Sequence, residues 1–290
     1  MTEPALLTPE IVPSTSRRRG DGLSVGTVLA FGFLFAVAIL AILGTQLAPI
    51  DPHAQNLNAA LSGPTRDFWF GTDSLGRDIF SRTLAGARTA LIGPMLVAGG
   101  AMLIGNLFGL LARYRGGWVD TVVMRGVDLM YALPPLLVAI VIGGVVGGGY
   151  WVAVAILVVL FSPYDARLIR GATLQQRNLP YVEAARTLGL SSGRIMARHV
   201  WPNLLPLVVA NTFLNFAFAL VTLAGLSFIG IGVAPGTADW GQMLADSRTL
   251  LFDNPWAALG PGIALVLTAV SMNLAGDSLY ERLSDRGRTH

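Results

Sequence analysis

The sequence has neither cysteine nor lysine among its 290 residues. Without cysteine there can be no disulfide, no thiolate nucleophile and no cysteine-ligated metal. Without lysine there can be no Walker A loop, whose lysine reaches the β/γ-phosphates of a nucleotide. If ATP drives this protein, a partner must hydrolyse it. Charge is scarce as well: 13% of residues are Asp, Glu or Arg, against about 25% in ordinary soluble domains. Histidine is confined to His53, His199 and His290, too scattered to suggest a metal site.

What remains is apolar. Hydrophobic residues make up 53% of the chain and the mean hydropathy is +0.61. So little polar surface cannot cover a soluble core of this size, so the bilayer is the expected solvent. The net charge of +3 and pI near 9.7 then read as loop asymmetry rather than as a nucleic-acid surface.

A helix crossing the hydrocarbon core needs about 20 mostly apolar residues, and the gaps between charges locate the candidates. One lies between Asp21 and Asp51 and a second between Arg88 and Arg113. The uncharged run from Leu129 to Tyr164 is too long for one crossing. Gly147, Gly148 and Gly149 interrupt it, followed by Tyr150 and Trp151. Glycines give a turn and aromatics suit a membrane interface, so two helices are expected, the first beginning near Asp120. A fifth follows Pro202 through about Val233, and a sixth runs from Trp256 to Gly276. The expected class is an all-α integral membrane protein with six transmembrane helices.

An even count puts both termini on one side. With the N-terminus inside, fifteen arginines fall in interior segments and five in exterior ones. Arginine enrichment of cytoplasmic loops therefore predicts cytoplasmic N- and C-termini. A cleaved signal peptide would account for Arg17–Arg19 before the first apolar run. That run exceeds the usual 7–15 residues, however, and no small-residue cleavage site follows. Residues 1–22 are expected to form a disordered cytoplasmic tail, 23–287 the membrane domain, and 288–290 a short tail.

The longest interior loop, about residues 166–201, has too many arginines to span. A short amphipathic helix is expected from Tyr181 to Leu188, with Pro180 at its start, Gly189 at its end, and Ala184, Ala185 and Leu188 at helical spacing. Ser191 and Ser192 suit the cap of the next helix. Glu183-Ala184-Ala185, three residues, Gly189, twelve residues and Pro202 resemble the EAA signature of ABC importer permeases. The family's Ile and Leu before the proline are replaced by His199 and Trp201.

Further stretches narrow the resemblance to the C-type subunit of dipeptide and oligopeptide permeases: Trp69 to Leu91, Tyr114 to Asp120, and Ala224 to Leu244. The resemblance implies a type I ABC importer permease fold in the bacterial cell membrane. It implies a coupling helix against an ATPase, with Tyr181, Glu183, Ala184, Ala185, Arg186, Gly189 and Pro202 as the coupling set. It also implies a second permease, two ABC ATPase domains carrying ATP and Mg, and an extracytoplasmic binding protein. This chain itself would hold no cofactor, metal or catalytic residue, and would bind no nucleic acid. Contact with the binding protein is expected through Asp73, Arg77, Asp78, Asp239 and Trp240.

Polar side chains inside a membrane are costly unless they face protein or water. Asn106, Asn211, Asn215 and Asn273 are the candidates for a hydrated pathway. Asp128, three residues after Arg125, is expected to pair with it. Gly105 with Gly109, and Gly143 with Gly147, suit close helix packing, and Pro134-Pro135 suits a kink. Gly189-Leu-Ser-Ser-Gly193 matches the G-x-S-x-G nucleophile elbow only in letters, since it joins two helices rather than a strand and a helix. The Gly71–Asp78 stretch lacks the terminal bidentate glutamate of a calcium loop and reads as a tight turn. The cargo stays open between peptides and small solutes such as a nickel chelate or glutathione. An ion-coupled secondary transporter and an intramembrane enzyme are the readings from other classes.

Overall fold

A computed structural model describes residues 24–286; the expected tails, 1–22 and 288–290, lie outside the described residues. Helix α1 (Val25–Leu47) is followed by a long connection to α2 (Ile79–Arg115). Then come α3 (Gly117–Tyr131), α4 (Pro135–Val146) and α5 (Tyr150–Arg177). Short α6 (Pro180–Thr187) and α7 (Ser192–Ile195) lead through a π-helical turn at Met196–Val200 into α8 (Trp201–Phe228). A second long connection carries α9 (Trp240–Asp246) and ends at α10 (Trp256–Arg286).

Five of these helical stretches are long and apolar enough to cross a membrane, and α3 with α4 makes a sixth, bent by 81°. Pro134 and Pro135 do more than kink this span. Pro135 opens α4 as its first residue, and the residue before a proline is steered away from helical backbone, so the chain breaks at Ala132–Pro134. The Gly147–Gly149 turn is as expected: all three glycines have positive φ, at 102°, 70° and 106°, which only glycine adopts freely.

Helix α2 is the spine. Its residues enter three successive core clusters, through Ala87, Ala90 and Leu91, then Val97, then Met102, and its most extensive partner is α5. The close approach is made possible by glycine. A β-carbon on Gly105 would overlap the Asp165 side chain and stand 2.8 Å from Ala166 N, and one on Gly109 would stand 2.7 Å from Ala166 O. At the other expected pair, Gly143 packs against Ile231, while Gly147 instead caps α4 in the left-handed conformation.

Two helices overrun the boundaries that charge predicts. Helix α2 begins at Ile79 and includes Arg82 and Arg88; α5 runs past Asp165 to Arg177. Arg82 and Asp165 lie inside protein rather than in water, 1% and 0% exposed, whereas Arg88 is exposed.

Candidate functional site

Three groupings of polar residues stand out, one at each end of the bundle and one between them. At the end formed by the two long connections, the Gly71–Asp78 segment is a tight turn. Asp73 Oδ1 accepts from the amides of Leu75 (2.9 Å) and Arg77 (3.0 Å), and Asp73 Oδ2 accepts from Arg77 Nε at 2.6 Å. Asp78 caps α2 by accepting from Ser81 N at 2.8 Å. Arg82 then reaches across, donating to the carbonyls of Pro52, Gly236 and Thr237 at 3.1–3.2 Å. Arg77 joins it at Gly236 O and lies 3.7 Å from Asp246. Trp240 Nε1 donates to Thr83 O at 2.8 Å, and Asp239 caps α9. The two connections are thus one hydrogen-bonded body. Asp73, Arg77, Asp78, Asp239 and Trp240 are all buried in it, so their side chains hold the shape of this end instead of presenting themselves on its surface. Arg82 joins no expected set, because a lone arginine in a sequence carries no sign that three distant carbonyls await it.

At the opposite end, α6 starts at Pro180 as expected and stops before Gly189, whose φ is +76°. The Gly189 amide donates to Arg186 O at 2.9 Å and the Leu190 amide to Ala185 O at 3.2 Å, satisfying carbonyls that a helix end leaves open. Val182 and Ala185 are buried in a cluster with Ile169, Ile195, Leu204 and Val208. Glu183, Ala184, Arg186 and Leu188 face outward, and Leu188 is 80% exposed. The expected apolar stripe is therefore split. Ala185 belongs to the buried face with Val182, whereas Ala184 and Leu188 lie on the free face. Tyr181 donates its hydroxyl to Gln176 at 2.7 Å, and Pro202 sits exposed in the first turn of α8. Ser191 takes the N-cap position of α7 without a side-chain capping bond.

Two ion pairs tie α5 to α3 next to this end. Arg170 binds both carboxylate oxygens of Asp120 at 2.5 Å. Arg167 meets Asp128 at 2.6 Å and lies over the Tyr131 ring at 4.3 Å. The expected Arg125–Asp128 pair is thus replaced by Arg167–Asp128, since tertiary packing brings a bidentate-capable guanidinium to the carboxylate from another helix.

Between the ends lies the cluster that sequence reasoning half found. Asn211 Nδ2 donates to Asp165 Oδ1 at 2.6 Å, and Asn215 Nδ2 to Asp165 Oδ1 and Oδ2 at 2.8 and 3.0 Å. Asp165 was taken as the border of a span and is in fact its polar centre. The available signal was the Asn211–Asn215 pair, four residues apart on one helix face and in need of a partner. Asn106 is buried elsewhere on α2 with its Oδ1 unpaired, and Asn273 is exposed on α10; neither joins the cluster. Among the described residues there is no grouping of three or more His, Cys, Asp or Glu side chains able to hold a metal.

Five membrane-length helices and the broken α3–α4 pair, packed around an internal polar cluster, make a multi-span membrane protein. The model of the family described as binding-protein-dependent transport system inner membrane component matches residues 105–289, and the chain belongs to that family. A putative peptide permease protein of Brucella suis biovar 1 is 37% identical over 90% of this chain and 86% of its own length. A dipeptide transport system permease protein of Alkalihalophilus pseudofirmus is 34% identical over 90% of this chain and 85% of its own. A glutathione transport system permease protein of Pectobacterium atrosepticum is 35% identical over 88% and 85%. Among solved structures, an inward-facing form of the MetNI methionine ABC transporter matches with a TM-score of 0.59 at 19% identity. It covers 69% of this chain and 95% of that one, a likeness of fold. The chain is therefore a multi-pass inner-membrane permease component of an ABC importer.

Proposed function

We propose that this chain forms, with a second permease, the translocation pathway of an ATP-driven importer for di- and oligopeptides. A binding protein outside the membrane delivers the cargo, and two ATPase domains inside supply ATP hydrolysis with Mg. The chain itself is not an enzyme. Its N- and C-termini are cytoplasmic, so α6 meets an ATPase and the Asp73 end meets the binding protein. Because the five buried residues of that end shape it from within, docking uses the exposed surface of segment 49–87, which includes the first turns of α2, and of segment 234–255.

The observation that carries this reading is the two-faced α6. Glu183, Ala184, Arg186 and Leu188 are free on one side, while Val182 and Ala185 are set into the core on the other. An ATPase gripping the free face moves the buried face with it. That face packs against Ile169 of α5 and against Leu204 and Val208 of α8. Through Arg167 and Arg170, α5 carries α3 along. The helices so moved include those flanking the Ala132–Pro134 break. A broken helix at membrane depth is tolerated where it faces protein or lines a wet cavity, and the cavity-lining alternative assigns the break to the pathway.

The test is purification of the tagged chain from its native membrane in mild detergent. An ATPase and a second permease are expected to accompany it, and Leu188→Asp is expected to release the ATPase while retaining the permease partner. Recovery of the chain alone, with all neighbours expressed, would favour an ion-coupled transporter. The glutathione permease relatives support a second reading in cargo only, which uptake of glutathione without peptides would select.

A further inference from the structure

The break between α3 and α4, together with α5 and α8, borders a half-open cavity of about 670 Å³, within the range of small-molecule sites. Its wall is largely apolar, with Tyr131, Leu136, Phe161 and Phe218 prominent, and Asn215 supplies its one side-chain amide among the described residues. The orientation of that amide is dictated from behind. Asn215 Nδ2 faces both oxygens of the Asp165 carboxylate; a flipped amide would set oxygen against oxygen. Asn215 Oδ1 is therefore turned away from Asp165. It has no hydrogen-bond donor among the described residues, and it is not one of the sealed, unpaired polar atoms.

No cation pairs with Asp165 among the described residues: Arg167 is taken by Asp128 and Arg170 by Asp120. The cavity therefore has a fixed acceptor in its wall and an uncompensated buried carboxylate directly behind it. Both features attract a cation that carries N–H donors. A buried carboxylate within a span is expensive unless something uses it, and the overlap that any β-carbon on Gly105 would cause shows how tightly the backbone is built around it.

We propose that Asn215 is a cargo-contacting residue that accepts a hydrogen bond from a protonated amine, the free N-terminal ammonium of a peptide. Asp165 is the residue that positions it and supplies the charge. The neighbouring Tyr131, Phe161 and Phe218 take the apolar part of the cargo. This inference rests on the peptide-importer reading, and its test separates the two.

The complete importer, with its partner subunits and binding protein, is placed in proteoliposomes, and ATP-driven uptake of an apolar dipeptide is compared with that of its N-acetylated form. The binding protein is the same in every arm, so its own preference cancels between variant and wild type. Asn215→Leu and Asp165→Asn are each expected to lower the free-to-acetylated uptake ratio by about tenfold, the size of one charge-assisted hydrogen bond. Should leucine prevent assembly, Asn215→Ser is expected to give an intermediate ratio. Asn273→Leu, exposed on α10 and outside the cluster, is expected to leave the ratio in place. An unchanged ratio in the Asn215 and Asp165 variants, or an equal fall in Asn273→Leu, overturns the amine site while peptide import stands. Absence of any peptide uptake by a wild-type complex that hydrolyses ATP would strike instead at the peptide reading.

Discussion

Gly105 and Asp165 touch across the α2–α5 interface so closely that a β-carbon on the glycine would clash with the Asp165 β-carbon. The most extensive helix pair of the bundle therefore meets the internal carboxylate at this glycine. Gly105→Ala is expected to force α2 and α5 apart at Asp165, an overpacking cost of roughly 1–3 kcal/mol. Thermal unfolding of the purified protein in detergent should show the loss. Gly99→Ala, where a β-carbon meets nothing within 4 Å, should show little. Equal behaviour of the two would contradict the packing.

Gly189 poses a different problem. A β-carbon there has open space around it, yet φ is +76°, so any penalty comes from the backbone alone. Valine is expected to cost roughly 1–3 kcal/mol by the strain of a left-handed residue, and asparagine much less because it visits that region readily. Co-purification of the ATPase should thus fall in the order glycine, asparagine, valine. A valine variant that retains wild-type recovery would remove the turn from the coupling argument.

Arg82 holds three carbonyls from two distant connections, with 1% of the residue exposed. Arg82→Leu leaves the Pro52 and Thr237 carbonyls without their donor, Gly236 O keeping only Arg77, and is expected to cost roughly 2–5 kcal/mol. Limited proteolysis should then cut the two connections, 48–78 and 229–255, together. Lysine should rescue poorly, because one ammonium cannot reproduce a planar guanidinium fork.

The orientation can be tested directly, since the chain has no cysteine of its own. Ser74 and Ala184 are both exposed, at opposite ends of the bundle. Single cysteines at these positions are expected to react with an impermeant maleimide from the outer and inner sides respectively. Labelling of both from one side would overturn the arrangement.

The membrane helices were legible in the sequence because hydropathy is a bulk property of about 20 residues at a time. The turn at Gly147–Gly149 and the α6 boundaries at Pro180 and Gly189 were legible because proline and glycine act locally. Charged residues misled for one reason. Asp165 was read as a span border, and Arg82 as part of an exterior segment, on the premise that a charge seeks water. In the fold each finds its partners from elements 30 to 155 residues away. The Asp128 partner was misassigned on the same footing, with Arg125 favoured by nearness along the helix and Arg167 chosen by packing. Which asparagine of the four mattered was equally hidden, because only the fold shows that Asn211 and Asn215 converge on one carboxylate.

The clamp formed by Arg77 and Arg82 fuses two connections that the sequence separates by more than 150 residues. A visiting protein that presses on one of them loads the other at once, and with them the tops of α2 and α9. Arrival of a delivery protein would thus be felt as a single push on a stiff plate. What flexes in response must lie further along the helices, towards the break at Ala132–Pro134 and the π-helical turn at Met196–Val200.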